Sequence, residues 1–330
     1  MRLITSRSLL YTEMTQAAAL TYNPDLLDKY IGPRATTNDN VALQLGGCDP
    51  EIMSEAARLA AEYGQYHSIQ VNCGCPSGKA KKAGYGAELM LDPELTRAIV
   101  YDMCRKVTDT PITVKCRVGV VPNRNSFEHL LEFVEACKSG GVHHFTIHAR
   151  DVVLSGLSPA QNRTIPPLKY DTAFALARHF PELHFTLNGG VHSFEQADEL
   201  LARDDGIIGG VMIGREAYRN PWLFADADIR YYGGLGPGSE RTRQCIIDEY
   251  LDYADVTQEC DARQTIALIK PLHNALAGCV CEKAWKVALD SASVAFKSRA
   301  VSDIVSQALD GCDCRSELVD FLQLPLSSSA

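Results

Sequence analysis

Ser68-Ile69-Gln70-Val71-Asn72-Cys73-Gly74-Cys75-Pro76-Ser77 is the stretch on which the reading of this chain turns. Its first four residues form a short apolar run, and Gly74 and Pro76 end it, so it reads as a buried strand with Cys75 presented at its mouth. A thiol held there is placed to do chemistry, whereas a free cysteine is otherwise among the most buried of residues. For Cys75 alone the two readings stand about level. Other strands ending in the same way tip the balance.

Working outward, one unit recurs from Leu9 to Val211: a short β-rich run, a polar or glycine stop, then a helical pattern. Strands are expected at 9–11, 41–45, 68–71, 112–115, 144–147, 184–187 and 210–213, with helices at 51–63, 93–107, 126–139, 173–179 and 193–202. Such alternation implies a parallel sheet covered by helices. An open doubly wound sheet gathers its ligand groups near one switch point, whereas a (β/α)8 barrel gathers them from strand ends all round. Here they follow many strands: Glu13, Gln44, Asn72, Lys115, His148, Asn188 and Gly214. A TIM-type barrel is therefore expected, with the first of its eight strands lacking. The composition changes after Tyr231, and residues 233–239 read as a turn or linker. Helical patterns at 240–257, 263–277, 282–296 and 300–322 follow, ending in a frayed 327–330. Residues 1–235 are thus expected to be the barrel and residues 236–330 a small helical domain.

The 330 residues, 46% of them hydrophobic, suffice for a large core. No run approaches a membrane span. Residues 1–7 are basic without an apolar stretch and cleavage site, so cytoplasm is the expectation, with organelle import left open. The twelve cysteines include the C-x-C pairs Cys73/Cys75, Cys279/Cys281 and Cys312/Cys314, read as reduced thiols. No H-E-x-x-H or comparable spacing occurs, and no catalytic metal is expected. A net charge of −9 argues against general nucleic-acid binding, so RNA would be met by local patches. Lys79, Lys81 and Lys82 form one, although it reads equally well as a solvated loop.

Asn188-Gly189-Gly190 and Gly214-Arg215 follow the last two strands, where such barrels often bind phosphate with loop amides and a helix N-terminus. Glycine lets the backbone approach, and Arg215 adds a charged fork; plain strand-to-helix turns are the competing reading. Alternation puts Lys115 and Arg117 on one face of their strand end. Joined by Gln44 and His148, they suit the edge of a flavin, whose N1/O2 region turns anionic on reduction. Singly, His148 reads as a satisfied core group and Lys115 as a rim ion pair, so their convergence carries the reading.

Tyr11-Thr12-Glu13-Met14, Gln44-Leu45-Gly46-Gly47, Asn72-Cys73-Gly74-Cys75-Pro76-Ser77, Tyr85-Gly86-Ala87-Glu88-Leu89-Met90, Val114-Lys115-Cys116-Arg117, His148-Ala149-Arg150 and Val211-Met212-Ile213-Gly214-Arg215 together resemble the tRNA-dihydrouridine synthases. The likeness runs in order from residue 8 to 232, with a weaker match over 266–290. Residues 156–168 look most like the branch that reduces D-loop uridines at tRNA positions 20 and 20a. The resemblance implies FMN held by Gln44, Lys115, His148, Asn188, Gly189, Gly190, Gly214 and Arg215, with NADPH as reductant. It implies Cys75 as proton donor, Asn72 and Arg117 on the uracil, Arg163 on the tRNA, and a helical domain that helps grip tRNA, with no stable protein partner. Flavin N5 would give hydride to C6 of uracil while the Cys75 thiol, which must stay protonated, protonates C5 from the opposite side.

Two departures from the family pattern shape further expectations. The family's opening strand, with its Ala-Pro-Met-type flavin contact, has no counterpart here. Exposed sheet edges, weak FMN binding and aggregation are therefore expected of the chain as written, with a longer form as the working enzyme. Residues 236–330 carry 9 Lys+Arg against 14 Asp+Glu, and Lys270-Pro271-Leu272-His273 stands where more arginine is expected. Competing functions are a flavin-dependent reductase of a free pyrimidine and a truncated barrel that binds RNA without catalysis.

Overall fold

Nine strands occur among the residues described: β1 (Leu10–Gln16), β2 (Val41–Gly46), β3 (Ser68–Cys73), β4 (Ile112–Arg117), β5 (Val120–Val121), β6 (His144–His148), β7 (Val152–Val153), β8 (His184–Asn188) and β9 (Gly210–Met212). The computed structural model describes residues 1–32, 39–234, 241–260, 265–296, 299–312 and 315–326. Seven strands pair in parallel in the order β1-β2-β3-β4-β6-β8-β9, and β5 pairs with β7. Every strand of the large sheet lies beside the next one in sequence, which is barrel order; a doubly wound sheet reverses at its switch point. β1 and β9 end the order with no further ladder partner among the described residues. Seven strands of a TIM-type fold are thus present, as expected.

Most of the strands run one or more residues beyond their apolar signal. Asn72 registers with Lys115, Cys73 with Cys116 and Arg117 with His148, because the ladder needs only backbone groups and tolerates polar side chains. The functional residues therefore sit on the last rungs of the sheet rather than in loose loops.

The surrounding helices start on clear local signals. Asp49 accepts a hydrogen bond from Ile52 N at 2.9 Å, with Pro50 in the first turn of helix Pro50–Tyr63. Asp92 and Pro93 repeat the device for helix Pro93–Lys106, with Leu95 N at 3.0 Å. Each side-chain oxygen satisfies an orphan amide, and proline costs nothing where no N–H is needed. Met53, Ala56, Ala57 and Ala60 then fall on one helical face and are wholly buried against the sheet.

By packing, the chain divides into residues 9–214 and a second unit made of residues 1–8 with 215–330. The expected boundary at 235/236 lies further on, and much of the linker at 233–239 falls outside the described residues. Residues 215–234 carry the apolar pattern of the second core: Trp222 and Ala225 are buried there, and Trp222 Nε1 donates to Ala275 O at 2.8 Å. Asp228 binds the N-terminal segment, accepting from Thr5 Oγ1 at 2.5 Å, Ser6 N at 2.7 Å and Arg7 N at 3.1 Å. Helices Arg243–Cys260, Thr265–Ile269, Glu282–Ala295, Val301–Asp310 and Arg315–Gln323 form the rest of the unit. One expectation is corrected here: Cys281 is disulfide-bonded rather than a reduced thiol. Its partner is set by tertiary proximity, which C-x-C spacing does not encode.

Candidate active site at the strand ends

Side chains alternate along each strand, and the two faces have opposite chemistry. Ile69, Val71, Cys73, Val114, Cys116, Phe145, Ile147, Phe185 and Leu187 lie in the core beneath the helices. Gln70, Asn72, Lys115, Arg117, Thr146, His148 and Asn188 occupy the alternate positions and so face inward. Barrels of this type ordinarily fill their interior with Val, Ile and Leu. Here the inner face is amide, hydroxyl and cation.

These groups hold one another in fixed orientation. Gln44 Nε2 donates to Gln70 Oε1 at 2.7 Å, Gln70 Nε2 to Thr146 Oγ1 at 3.3 Å, and Asn72 Nδ2 to Gln44 Oε1 at 2.7 Å. Tyr11 joins through hydrogen bonds with Thr146 and Gln70, and burial pushes its hydroxyl pKa up. Lys115 Nζ donates to Asn188 Oδ1 at 3.2 Å, and Asn188 Nδ2 to Met212 O at 2.8 Å. Burial, and then the nearby Arg117 charge, push Lys115 down to about 8, which leaves it mostly cationic at neutral pH.

Cys75 is held by its backbone. Asn72 Oδ1 accepts from Gly74 N at 3.1 Å and from Cys75 N at 2.9 Å, while Cys75 O accepts from Ala87 N at 3.0 Å. The close approach of the Ala87 turn needs glycine at position 86, where φ is +71° and a Cβ would lie 2.6 Å from Cys75 O. Cys75 is half-buried, whereas Cys73 is fully buried and its pKa is driven well above the ordinary value by burial and by Cys116. Cys73 and Cys116 are therefore inert, helix-facing thiols.

Arg117 is buried at 4% exposure and spans three backbone carbonyls: Nε donates to Gly74 O at 3.3 Å, and Nη1 donates to Asn162 O at 2.9 Å and to Asp151 O at 3.4 Å. Burial first, then the charges of Arg163 and Arg150, push it down to about 10. Arg163 is exposed on the turn Gln161–Arg163, and Lys79, Lys81 and Lys82 are exposed on the short helix Gly78–Lys82 just past Cys75. The rim around Cys75 is thus basic in a chain that is acidic overall.

Gly189 and Gly190 follow β8 with φ of +112° and +73°, and added Cβ atoms would lie 2.6 Å from His148 Cδ2 and 2.6 Å from Leu168 Cδ1. Tyr170 OH donates to Gly189 O at 2.5 Å, fixing this turn. Gly214 is exposed and closes the barrel unit, and Arg215 opens helix Arg215–Arg219 of the other unit. The structure thus brings Gln44, Asn72, Lys115, Arg117 and Asn188 together around the Cys75 turn, with His148 beside Gly189; Arg163 lies on the rim.

Reasoning from sequence alone missed Tyr11, Gln70, Thr146, Asp151 and Asn162. For Gln70 and Thr146 a signal existed in the i, i+2 spacing to Asn72 and His148. For Asn162 the signal was its place in the Asn-Arg pair of the 156–168 resemblance; spacing gave none, because its partners are backbone groups. The donor set suits a planar, electron-rich, partly anionic ring: a half-buried lysine ammonium, carboxamides and imidazole, plus a Thr113 Oγ1 that is buried without a hydrogen bond among the described residues. A flavin fits these residues.

Fold and site define a protein of the TIM-barrel class that gathers polar side chains and a presented thiol at the C-terminal strand ends. A family model described as Dihydrouridine synthase (Dus) matches residues 1–289. Proteins named tRNA-dihydrouridine(20/20a) synthase are similar: that of Synechocystis sp. is 40% identical over 257 residues, 77% of this chain and 73% of the relative. That of Vibrio vulnificus is 42% identical over 255 residues (77% and 74%), and that of Shewanella oneidensis 38% over 265 residues (79% and 74%). The chain belongs to the dihydrouridine synthase family, a family of oxidoreductases.

Proposed function

We propose that this chain reduces the C5–C6 bond of uridine in the tRNA D-loop, at positions 20 and 20a, using FMN and NADPH. The presentation of Cys75 at the mouth of a polar inner face, beside the half-buried cation Lys115, is the observation that carries this reading. Gln44, Lys115, His148 and Asn188 would hold the flavin ring, and Gly189, Gly190 and Gly214 its phosphate. When bound, FMN reduced by NADPH supplies the hydride that C6 of the uracil takes.

The chain's own residues supply the rest. Cys75 donates its thiol proton to C5, so that hydride and proton together saturate the bond, and the thiolate is reprotonated from solvent. Among the described residues the bonds of Asn72 leave one amide N–H, and those of Arg117 its Nη2 group, for the uracil carbonyls. Arg163, the lysines at 79, 81 and 82 and the helical region 236–330 would meet the tRNA backbone, working in the cytoplasm. Among the described residues no helix is long and apolar enough to cross a membrane.

Mapping dihydrouridine in tRNA from cells lacking the gene tests this reading. Loss at positions 20 and 20a, restored by the intact gene but not by Cys75→Ala, is the expected result; unchanged levels at both positions would refute it.

A further inference from the structure

Asn162 has a fully engaged side chain near the site and has no part in the chemistry above. It is 0% exposed. Its Oδ1 accepts from Val153 N at 2.7 Å, and its Nδ2 donates to Val153 O at 2.9 Å, with longer contacts to Ser158 O at 3.3 Å and Leu157 O at 3.4 Å. One carboxamide thus reads both backbone groups of Val153, the last residue of β7, and ties the loop back on itself. Asn162's own carbonyl then receives Arg117 Nη1 at 2.9 Å, while Arg117 Nε reaches Gly74 O at 3.3 Å. Gly74 is bonded directly to Cys75.

The chain of contacts therefore runs from Asn162 through Arg117 to the peptide that carries the thiol. Asn72 holds the amides of that peptide from the other side. A buried guanidinium among like charges needs acceptors to stay where it is; the shortest of its three bonds goes to the carbonyl of Asn162, in the loop that Asn162 closes, and another to Asp151, two residues before that loop. We propose that Asn162 is a positioning residue for proton delivery: by closing the 153–162 loop it aims Arg117 at Gly74 and so sets the placement of Cys75 against the substrate ring. The proposal rests on the reading of Cys75 as the proton donor.

The test uses the FMN-loaded enzyme and a tRNA transcript, with Asn162→Ala, Arg117→Lys and the double variant. Asn162→Asp, which keeps the volume and the acceptor to Val153 N, replaces Asn162→Ala if that variant does not fold. Three quantities are read: anaerobic flavin reduction by NADPH, single-turnover uridine reduction by the reduced enzyme, and iodoacetamide labelling of Cys75 against exposed Cys245 by peptide mass. For Asn162→Ala, flavin reduction should hold within about twofold while uridine reduction slows about 10- to 100-fold at saturating tRNA, the scale of a misplacement near 1 Å. Cys75 labelling should change while Cys245 labelling does not, and the double variant should be no slower than Arg117→Lys alone.

Proportional loss of FMN and of both half-reactions would mean that Asn162 only maintains the fold, and would overturn the proposal. Weaker tRNA affinity at an unchanged rate would make the loop an RNA contact and overturn it as well, as would additive effects of the two substitutions. Cys75→Ala, run alongside, separates the failures: full uridine reduction in that variant would sink the reading of Cys75 itself.

Discussion

The two faces of the seven-stranded sheet are made by the same strands, one residue apart, and they do opposite things. On the helix side, Val71, Cys73, Val114, Cys116 and Ile147 disappear into an apolar core. On the inner side, Gln44, Gln70, Asn72 and Thr146 bond one another through amides and a hydroxyl, and Lys115 bonds Asn188. The first face derives its stability from area removed from water; the second spends stability on buried polar groups to hold a site open. The two cysteines on either side of Gly74 sample both worlds.

That contrast is broken most directly at those cysteines. Cys75→Ala should lower uridine reduction by about 10²–10⁴-fold while NADPH still reduces the flavin, since only the proton donor is removed. Cys73→Ala should leave turnover nearly intact and instead cost about 1 kcal/mol in urea unfolding, as a small buried deletion does. Equal activity losses would mean that the faces are not functionally distinct.

Lys115 sharpens the comparison because its two consequences have opposite signs. Its pKa is lowered from 10.5 to about 8 by burial and by Arg117. The unfolded chain therefore binds more protons between those values, and stability contributed by this group is present above pH 10.5 and lost as pH falls through 8. The cation that would favour an anionic flavin edge behaves inversely, fading as pH rises through 8. Lys115→Met should thus raise stability at pH 7 by roughly 1–3 kcal/mol and slow flavin reduction about tenfold, with the fall between pH 7 and 9 abolished. A variant that is both less stable and equally pH-dependent would show that Lys115 is a structural cation.

A smaller effect is expected at the opposite end of the same inner face. His144 opens β6, lies in register with His184, and accepts or donates to Thr186 Oγ1 at 2.8 Å. Burial, then the charges of His184 and His67, lower it from 6.5 to about 4. Its contribution is complete above pH 6.5 and is lost as pH falls toward 4, so thermal stability should drop on acidification through this window. His144→Gln should flatten that drop, and circular dichroism melts at pH 7.5 and 5 would show whether it does. The smallest change is predicted for the rim: Arg163→Ala should weaken tRNA binding a few-fold and reduce the salt slope by about one, leaving single-turnover rate constants alone.

Much of this was legible before any coordinates. Gly74 and Pro76 marked the end of β3, and Lys115 and Arg117 declared a shared face by their spacing. The short pair β5 and β7 left no periodic trace, because two residues are too few to alternate. Residues 215–234 were assigned to the barrel because a composition break is easiest to see at glycine, whereas the packing of Trp222 against the helical core leaves no local mark.

The sequence by itself determined which residue types stand at each strand end, the parallel alternation that puts them there, and the family to which those motifs belong. All of these depend on order and spacing along one chain. Only the tertiary structure decided that carboxamides and a hydroxyl of the inner face bond one another, that Arg117 is tied to Gly74, and that Asn162 stands behind it. Asn162 and Gly74 are far apart in sequence, and the bonds between them run through backbone carbonyls, which every residue has and no sequence pattern can distinguish.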